Sequence, residues 1–578
     1  MDYRWDENEA SALTDDLERM VYLSRRVGGD PLLTQPGGGN TSIKWAERDS
    51  SGRETPVLRV KASGTDLAAM ERKGFTGLRL EGLRVLRDRD TMTDGEMLEL
   101  LHACRLDGLE PPPSLETPLH ALLPYRCIAH VHDLATLALT DTSRRDALVR
   151  EALGEEAAYV GYVRPGFPLA RTVRALGGLG KARGLVMGKH GLVAWGGTPR
   201  ECYDNLHRLV SLAEAFLQKA RTGRPPFEKR RHPEAEAGAR RARAIELLPL
   251  LRAALSKERK VILRHDGSDE AAAFASSQRA KDIYRRGMAT PEHIFRCGRL
   301  PLYVDAPLGQ LPPPEAAGAV LEAIDRFEAD YRASFARHAR NVEMHDPRPR
   351  VVLLPGLGIA TSGKSRRDAE IAWLCYRHVT RVMERAEVVD QFRFIEEASS
   401  FELEYWPWER IRPPAPEGAL SRRVALVPGA AAGIGRAAAG SLAGAGACVA
   451  PCDAGGNAAE EAVLDCGGID ILVCNSADES AAVAAAVRAM KAQGSGVIIF
   501  HASEAAAKAD LARRTQDLAR NLSPRGIRVH GLNAAPADAA RRDRAAAEAA
   551  LSLATDVPPH VSGSVVTVGS PPAGSQGA

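Results

Sequence analysis

Residues 424–453 read VALVPGAAAGIGRAAAGSLAGAGACVAPCD. A short apolar run, a glycine-rich turn, an alanine-rich stretch and a second apolar run follow one another, which is the pattern of strand, loop, helix and strand. Gly429, Gly433 and Gly435 stand in GxxxGxG spacing. Glycine there permits a tight turn and lets backbone amides approach a pyrophosphate at the helix start, while Asp453, closing the second run, is placed to accept from adenosine ribose hydroxyls. Further on, DILVC (470–474) and GVIIF (496–500) alternate with helical stretches. The segment therefore predicts a parallel sheet with crossover helices, and the fold class is α/β.

Upstream lies RIRPPAPEGALSRR (410–423), a proline-rich linker. A second breaker-rich stretch, TGRPPFEKRRHPE (222–234), follows the helical pattern PRECYDNLHRLVSLAEAFLQKA (199–220). The 578 residues thus divide into segments 1–225, 226–415 and 421–578. In the middle one, strands such as KVILR (260–264) and RVVLLP (350–355) alternate with long helices, which predicts an α/β connecting region. No internal repeat occurs at a solenoid period.

Hydrophobic residues make up 44% and charged residues 26% of the chain, the balance of a globular protein. The net charge of +3 comes from 77 basic and 74 acidic residues spread along the sequence, so no basic face argues for nucleic acid. The acidic start lacks a signal-peptide pattern, and no apolar run approaches the ~18 residues of a membrane span. The expected compartment is the cytoplasm, with small-molecule partners and no membrane. Nine cysteines without a CxxC pair suit a reducing environment.

Residues 127–133, CIAHVHD, carry His130 and His132 on a strand-like run. Strand side chains alternate, so positions two apart project together, at a spacing suited to one cation. Catalytic zinc takes three protein ligands and keeps an open position. The third candidate is His190 in GLVMGKHGLVAWG, where a glycine follows the histidine; His120 lies nearer, in SLETPLHALLP, on a predicted helix. Two turns accompany these rings. GGGNTSIK (37–44) contains Asn40, and KASGTDL (61–67) contains Ser63 and Gly64; such amides and hydroxyls cradle phosphates. PSLETP adds Ser114 and a carboxylate, Glu116, available for proton transfer.

Taken in order, GGGN, ASG, S-x-E, HxH and KHG resemble the class II aldolase/adducin family across residues 1–220. The resemblance implies a three-layer α/β/α domain in which His130, His132 and His190 bind zinc or another divalent metal and Glu116 is the acid/base. It also implies that Asn40, Ser63, Gly64 and Ser114 line a pocket for a phosphate or equivalent polar group. A ketose 1-phosphate or related polyhydroxy substrate and a homo-oligomer are expected. Leu115 departs from the pattern, because sugar-phosphate relatives often have two hydroxyl residues before the glutamate. The group that protonates the leaving alkoxide is not placed; Tyr125 and Tyr162 are candidates for it, with packing the preferred reading of each.

In the middle segment GIATSGKS (358–365) matches the phosphate-loop pattern GxxxxGK[ST]. No apolar strand ending in a magnesium-binding aspartate follows, so nucleotide hydrolysis is not expected. Glu292 and His293 in TPEHIFR (290–296) are read as surface or structural residues. PGLGIATSGKSRRDAEIA and EYWPWE, together with WDENEASAL and LPYRCIAHVH near the start, resemble fusion proteins that join a class II aldolase to a short-chain dehydrogenase, the bifunctional rhamnulose-1-phosphate aldolase/lactaldehyde dehydrogenase group.

For the third segment that resemblance extends through CNSA (474–477), with Asn475, and SPRGIRVHGLNAAP (523–536). It places Lys508 at the family's lysine and Glu504 at its tyrosine. A glutamate, normally ionised, does not hand a proton to a carbonyl at neutral pH. The segment is also short for a complete doubly wound domain. NAD(P) binding is thus doubtful and hydride transfer more so. The expected protein is an aldolase fused to an inactive, abridged Rossmann-type domain; the alternatives are a fully bifunctional enzyme and a non-catalytic adducin-like binding module.

Overall fold

The computed structural model describes residues 2–48, 52–177, 179–221, 226–407, 416–450, 457–475, 481–502, 505–534, 538–555 and 561–568. The chain divides into two compact units. One comprises Met1–Glu228, Asp282–Leu300 and Leu374–Ile411; the other comprises Lys229–Lys281, Pro301–Trp373 and Arg412–Ala578. The 226–415 stretch is therefore shared between them.

The first unit is built on seven strands: β1 (Asn40–Arg48), β2 (Glu54–Lys61), β3 (Phe75–Arg79), β4 (Cys127–Val131), β5 (Ala157–Val160), β6 (Gly184–Met187) and β7 (Gly191–Gly196). Their order is β3-β2-β1-β4-β7-β6-β5, antiparallel except for β5 with β6. β4 is central and buried throughout, which explains its unbroken apolar character around the histidine. Helix Pro199–Ala220 begins at an N-cap, Thr198, with proline at its first position. Its Cys202, Leu206, Leu209, Ala213 and Leu217 recur every three or four residues and are buried. They join Met20, Leu23 and Val27 of helix Asp16–Gly28 in the core on one sheet face. On the other face, Leu119, Leu169 and Val173 from helices Thr117–Leu122 and Phe167–Ala175 pack on Ile128, Leu185 and Val193. Helices thus cover both faces, giving three layers.

Among the described residues the second unit contains two sheets. Strands β8 (Ile262–Asp266), β9 (Leu302–Tyr303), β10 (Val351–Leu354) and β11 (Gly358–Gly363) lie in the order β8-β11-β10-β9. The phosphate-loop match falls on β11, which is paired antiparallel to β10 and to β8. From Gly358 to Gly363 the backbone sits in sheet ladders instead of an open cradle.

Strands β12 (Val424–Leu426), β13 (Cys448–Val449), β14 (Ile471–Asn475), β15 (Gly496–Ala502), β16 (Ile527–Ala534) and β17 (Val565–Val568) form an all-parallel sheet ordered β13-β12-β14-β15-β16-β17. The chain reverses its direction of winding between β12's neighbours, β13 and β14, which makes a Rossmann-type switch point at the end of β12. Between β13 and β14 the described residues hold one helix, Ala458–Cys466, and no further strand. Among the described residues no helix is long and apolar enough to cross a membrane.

Candidate metal centre

His130 is the penultimate residue of β4, and His132 follows directly after its end. His190 sits in the tight turn between β6 and β7, preceded by Lys189 at φ 59°. Pairing of β7 with β4 sets Leu192 opposite Val131 and so brings that turn beside the HVH sequence. The three rings are buried, and one nitrogen from each lies within 4.8 Å of the others. Ring centroids are 4.9 Å apart for His130 and His132, 5.0 Å for His130 and His190, and 5.5 Å for His132 and His190.

The donor set fits a cation. His130 Nδ1 lies 3.1 Å from the Leu192 carbonyl, to which it donates, so its Nε2 carries a lone pair and faces His132 Nε2 at 3.1 Å. Burial pushes the His130 ring down to about 4, keeping it neutral at pH 7. Neutral imidazoles whose outer nitrogens are engaged are the form in which histidine binds metal.

Glu116 adjoins this cluster: its carboxylate lies 3.1 Å from His190 Nε2 and 3.5 Å from His130 Nε2. Burial raises its pKa, but the His130 and His190 rings outweigh that effect and hold it well below the usual range, so it stands as a base. Asn40, opposite His130 across β1 and β4, donates to Glu116 Oε2 at 2.5 Å and approaches Ser114 Oγ at 3.4 Å. Ser114 Oγ accepts from the Glu116 amide at 3.2 Å. The Ser63–Gly64 turn runs beside this loop: Ser63 N donates to the Pro112 carbonyl and Ser114 N to that of Lys61. Gly64 has φ 78°.

Two family models match the chain. The Class II Aldolase and Adducin N-terminal domain matches residues 18–217, and Aldolase class II, second domain, matches 242–412. The N-terminal class II aldolase domain of a conserved protein from Thermoplasma acidophilum is 40% identical, with 38% of this chain and 99% of that one covered and a TM-score of 0.35. The chain belongs to the class II aldolase family. An uncharacterized oxidoreductase, YuxG of Bacillus subtilis strain 168, is 35% identical over 438 residues. That match covers 75% of this chain but only 64% of the relative's length. A gluconate 5-dehydrogenase from Burkholderia cenocepacia is 21% identical, covering 25% of this chain and 93% of its own, with a TM-score of 0.23.

Several residues around the histidine cluster escape a linear reading. His120 is fully buried, pairs with Ser42 Oγ at 2.7 Å and contacts the Asn40 side-chain oxygen, so it orients Asn40 instead of ligating. Its place four residues after Glu116, on one helical face, was the available signal. Lys189 donates to the Arg393 and Phe394 carbonyls at 2.6 Å each, anchoring the KHG turn. His293 is fully buried, correcting the surface half of its reading, and stacks on His378 with centroids 5.1 Å apart. Gly191 and Gly39 admit no side chain: a Cβ at 191 would lie 2.2 Å from the Val131 carbonyl oxygen, and one at 39 would lie 2.5 Å from that of His130. Tyr125 stacks on Trp195 at 4.2 Å, as a packing residue does.

In the Rossmann-type sheet, Gly429 and Gly433 have φ of 78° and 55°, and a Cβ on Gly435 would lie 2.5 Å from the Gly429 carbonyl oxygen. The loop before helix Gly433–Gly444 is therefore a close turn that glycine alone fits at these positions. Asp453, Ser503 and Glu504 lie outside the described residues. Asn475 ends β14 and Lys508 lies in helix Ala505–Leu522; their side chains are likewise outside the description.

Proposed function

We propose that this protein is a zinc-dependent aldehyde-lyase that cleaves or forms a carbon–carbon bond in a ketose 1-phosphate such as rhamnulose 1-phosphate, with a third segment that no longer turns over. The observation that carries the reading is the convergence of three buried imidazoles with a carboxylate 3.1 Å from one and 3.5 Å from another.

Cleaving the bond beside a ketone leaves an enediolate. A divalent cation held by His130, His132 and His190 supplies Lewis acidity toward the substrate oxygens, which offsets that charge. Glu116 moves the proton to or from the enediolate carbon, held in place by the Asn40 amide. Ser114, Ser63 and the positive-φ turn at Gly64 line the side where the phosphate is bound. Glu504 at the tyrosine position leaves the Rossmann-type segment without a phenolic acid, which supports its loss of hydride transfer. The protein acts as a cytoplasmic homo-oligomer.

The test combines metal analysis with a retro-aldol assay over a panel of ketose 1-phosphates. Cleavage that chelator abolishes and zinc restores is expected. Stoichiometric metal with no cleavage of any panel member would leave a binding module in its place.

A further inference from the structure

The His132 ring meets different neighbours at its two nitrogens. Nε2 faces His130, and Nδ1 lies 2.7 Å from the Gln35 side-chain amide nitrogen. Gln35 is 5% exposed, and its Oε1 is buried without a hydrogen-bond partner. An amide has a donating end and an accepting end of nearly equal size, so turning it over leaves the packing unchanged. With the NH2 end on the ring, Nδ1 must accept, the His132 proton moves to Nε2, and a buried carbonyl oxygen stays unsatisfied. With Oε1 on the ring, Nδ1–H donates to it, Nε2 is left with a bare lone pair, and the NH2 takes the place the oxygen held. A ring that ligates through Nε2 carries its proton on Nδ1 and needs an acceptor there, so the second arrangement is the one that goes with Nε2 as a ligand.

The loop is shaped to hold that contact. A Cβ at Gly38 would lie 2.5 Å from the Gln35 amide nitrogen and 2.9 Å from His132 Nδ1. One at Gly37 would lie 2.8 Å from Glu292 Oε1 and 2.9 Å from Arg296 Nη2. Glu292 and Arg296 are themselves ion-paired at 2.7 Å in helix Pro291–Cys297. The glycine run thus lets the chain pass between that helix and the His132 ring and presses Gln35 onto Nδ1.

We propose that Gln35 is a positioning residue of the metal centre: its side-chain oxygen accepts from His132 Nδ1–H and so fixes the tautomer that directs Nε2 at the cation. This rests on the metal-binding reading of the three histidines, but it concerns a residue outside the ligand set. His130 receives the equivalent service from the Leu192 carbonyl.

The test measures zinc affinity of the full chain by competition with a chromophoric chelator and records the visible absorption of the cobalt-substituted protein. Gln35→Leu keeps the volume and removes the acceptor; affinity should fall about 10–100-fold and the cobalt spectrum should change, with little change in the metal-free melting midpoint. Gln35→Glu keeps an acceptor and should bind zinc at least as tightly as the unmutated protein, with its cobalt spectrum. A Leu variant within about threefold of the unmutated protein, or a Glu variant more than about tenfold weaker, overturns the proposal. Should the Leu variant fail to fold, the Glu variant alone decides. An unmutated protein that binds no divalent cation removes the metal reading itself, whereas tight binding indifferent to position 35 removes only the role of Gln35.

Discussion

Glu116 and His130 are neighbours with separable duties. Glu116→Gln preserves size and the Asn40 contact but abolishes the base. Turnover should fall about 10²–10⁴-fold with zinc content unchanged, read by retro-aldol rate and elemental analysis on the same preparation. His130→Ala should lose the metal outright. The buried rings also set an acid limit. Burial holds His120 and His378 down to about 3 and His265 to about 4, against an ordinary value of 6.5. Below 6.5 the unfolded chain takes up protons that the folded one refuses, so this stability is complete above 6.5 and is lost as pH falls toward 4. Each ring contributes a slope of about 1.4 kcal/mol per pH unit. Melting curves in chelator should shift to lower temperature from pH 6.5 downward.

At the scale of elements, the centre depends on how closely β7 and its preceding turn approach β4. Gly191→Ala places a methyl group 2.2 Å from the Val131 carbonyl oxygen and 3.0 Å from atoms of both the His130 and His132 rings. The strands must separate, and the variant should emerge from gel filtration with little zinc even where it stays folded. In the second unit, buried Asp470 accepts from Arg252 at 2.6 Å, from Lys260 at 2.7 Å and from the Val424 amide at 2.8 Å, joining helix Ala237–Leu255 to the first strand of the parallel sheet. Asp470→Ala leaves Arg252, 2% exposed at its side chain, without its countercharge. Urea denaturation should show a loss of about 3–5 kcal/mol.

For the molecule as a whole, the prediction concerns which segment works. Purified protein given lactaldehyde and NAD or NADP should show no nicotinamide reduction, and Glu504→Ala should leave that null rate unchanged while retro-aldol cleavage persists. Turnover of the nicotinamide that falls sharply in Glu504→Ala would show the third segment to be active and the bifunctional alternative correct.

Local pattern determined much of this protein by itself. The glycine spacing at 429–435 and the alternation of short apolar runs with helical stretches specify parallel crossovers, because strand and helix periodicities are set by neighbours in sequence. The HVH pair was legible for the same reason: side chains two apart on a strand share a face. His190, Glu116 and Asn40 were legible as companions only through motif order. What the tertiary structure alone decided is the surrounding shell. Gln35, 97 residues before His132, and Lys189, 204 residues before Arg393, meet their partners through sheet pairing and loop packing. The same holds for the phosphate-loop match, whose residues 358–363 an antiparallel ladder makes a strand. Hydrogen bonds between residues far apart in the chain leave no periodic trace in it, so only the folded arrangement shows which nitrogen each one engages.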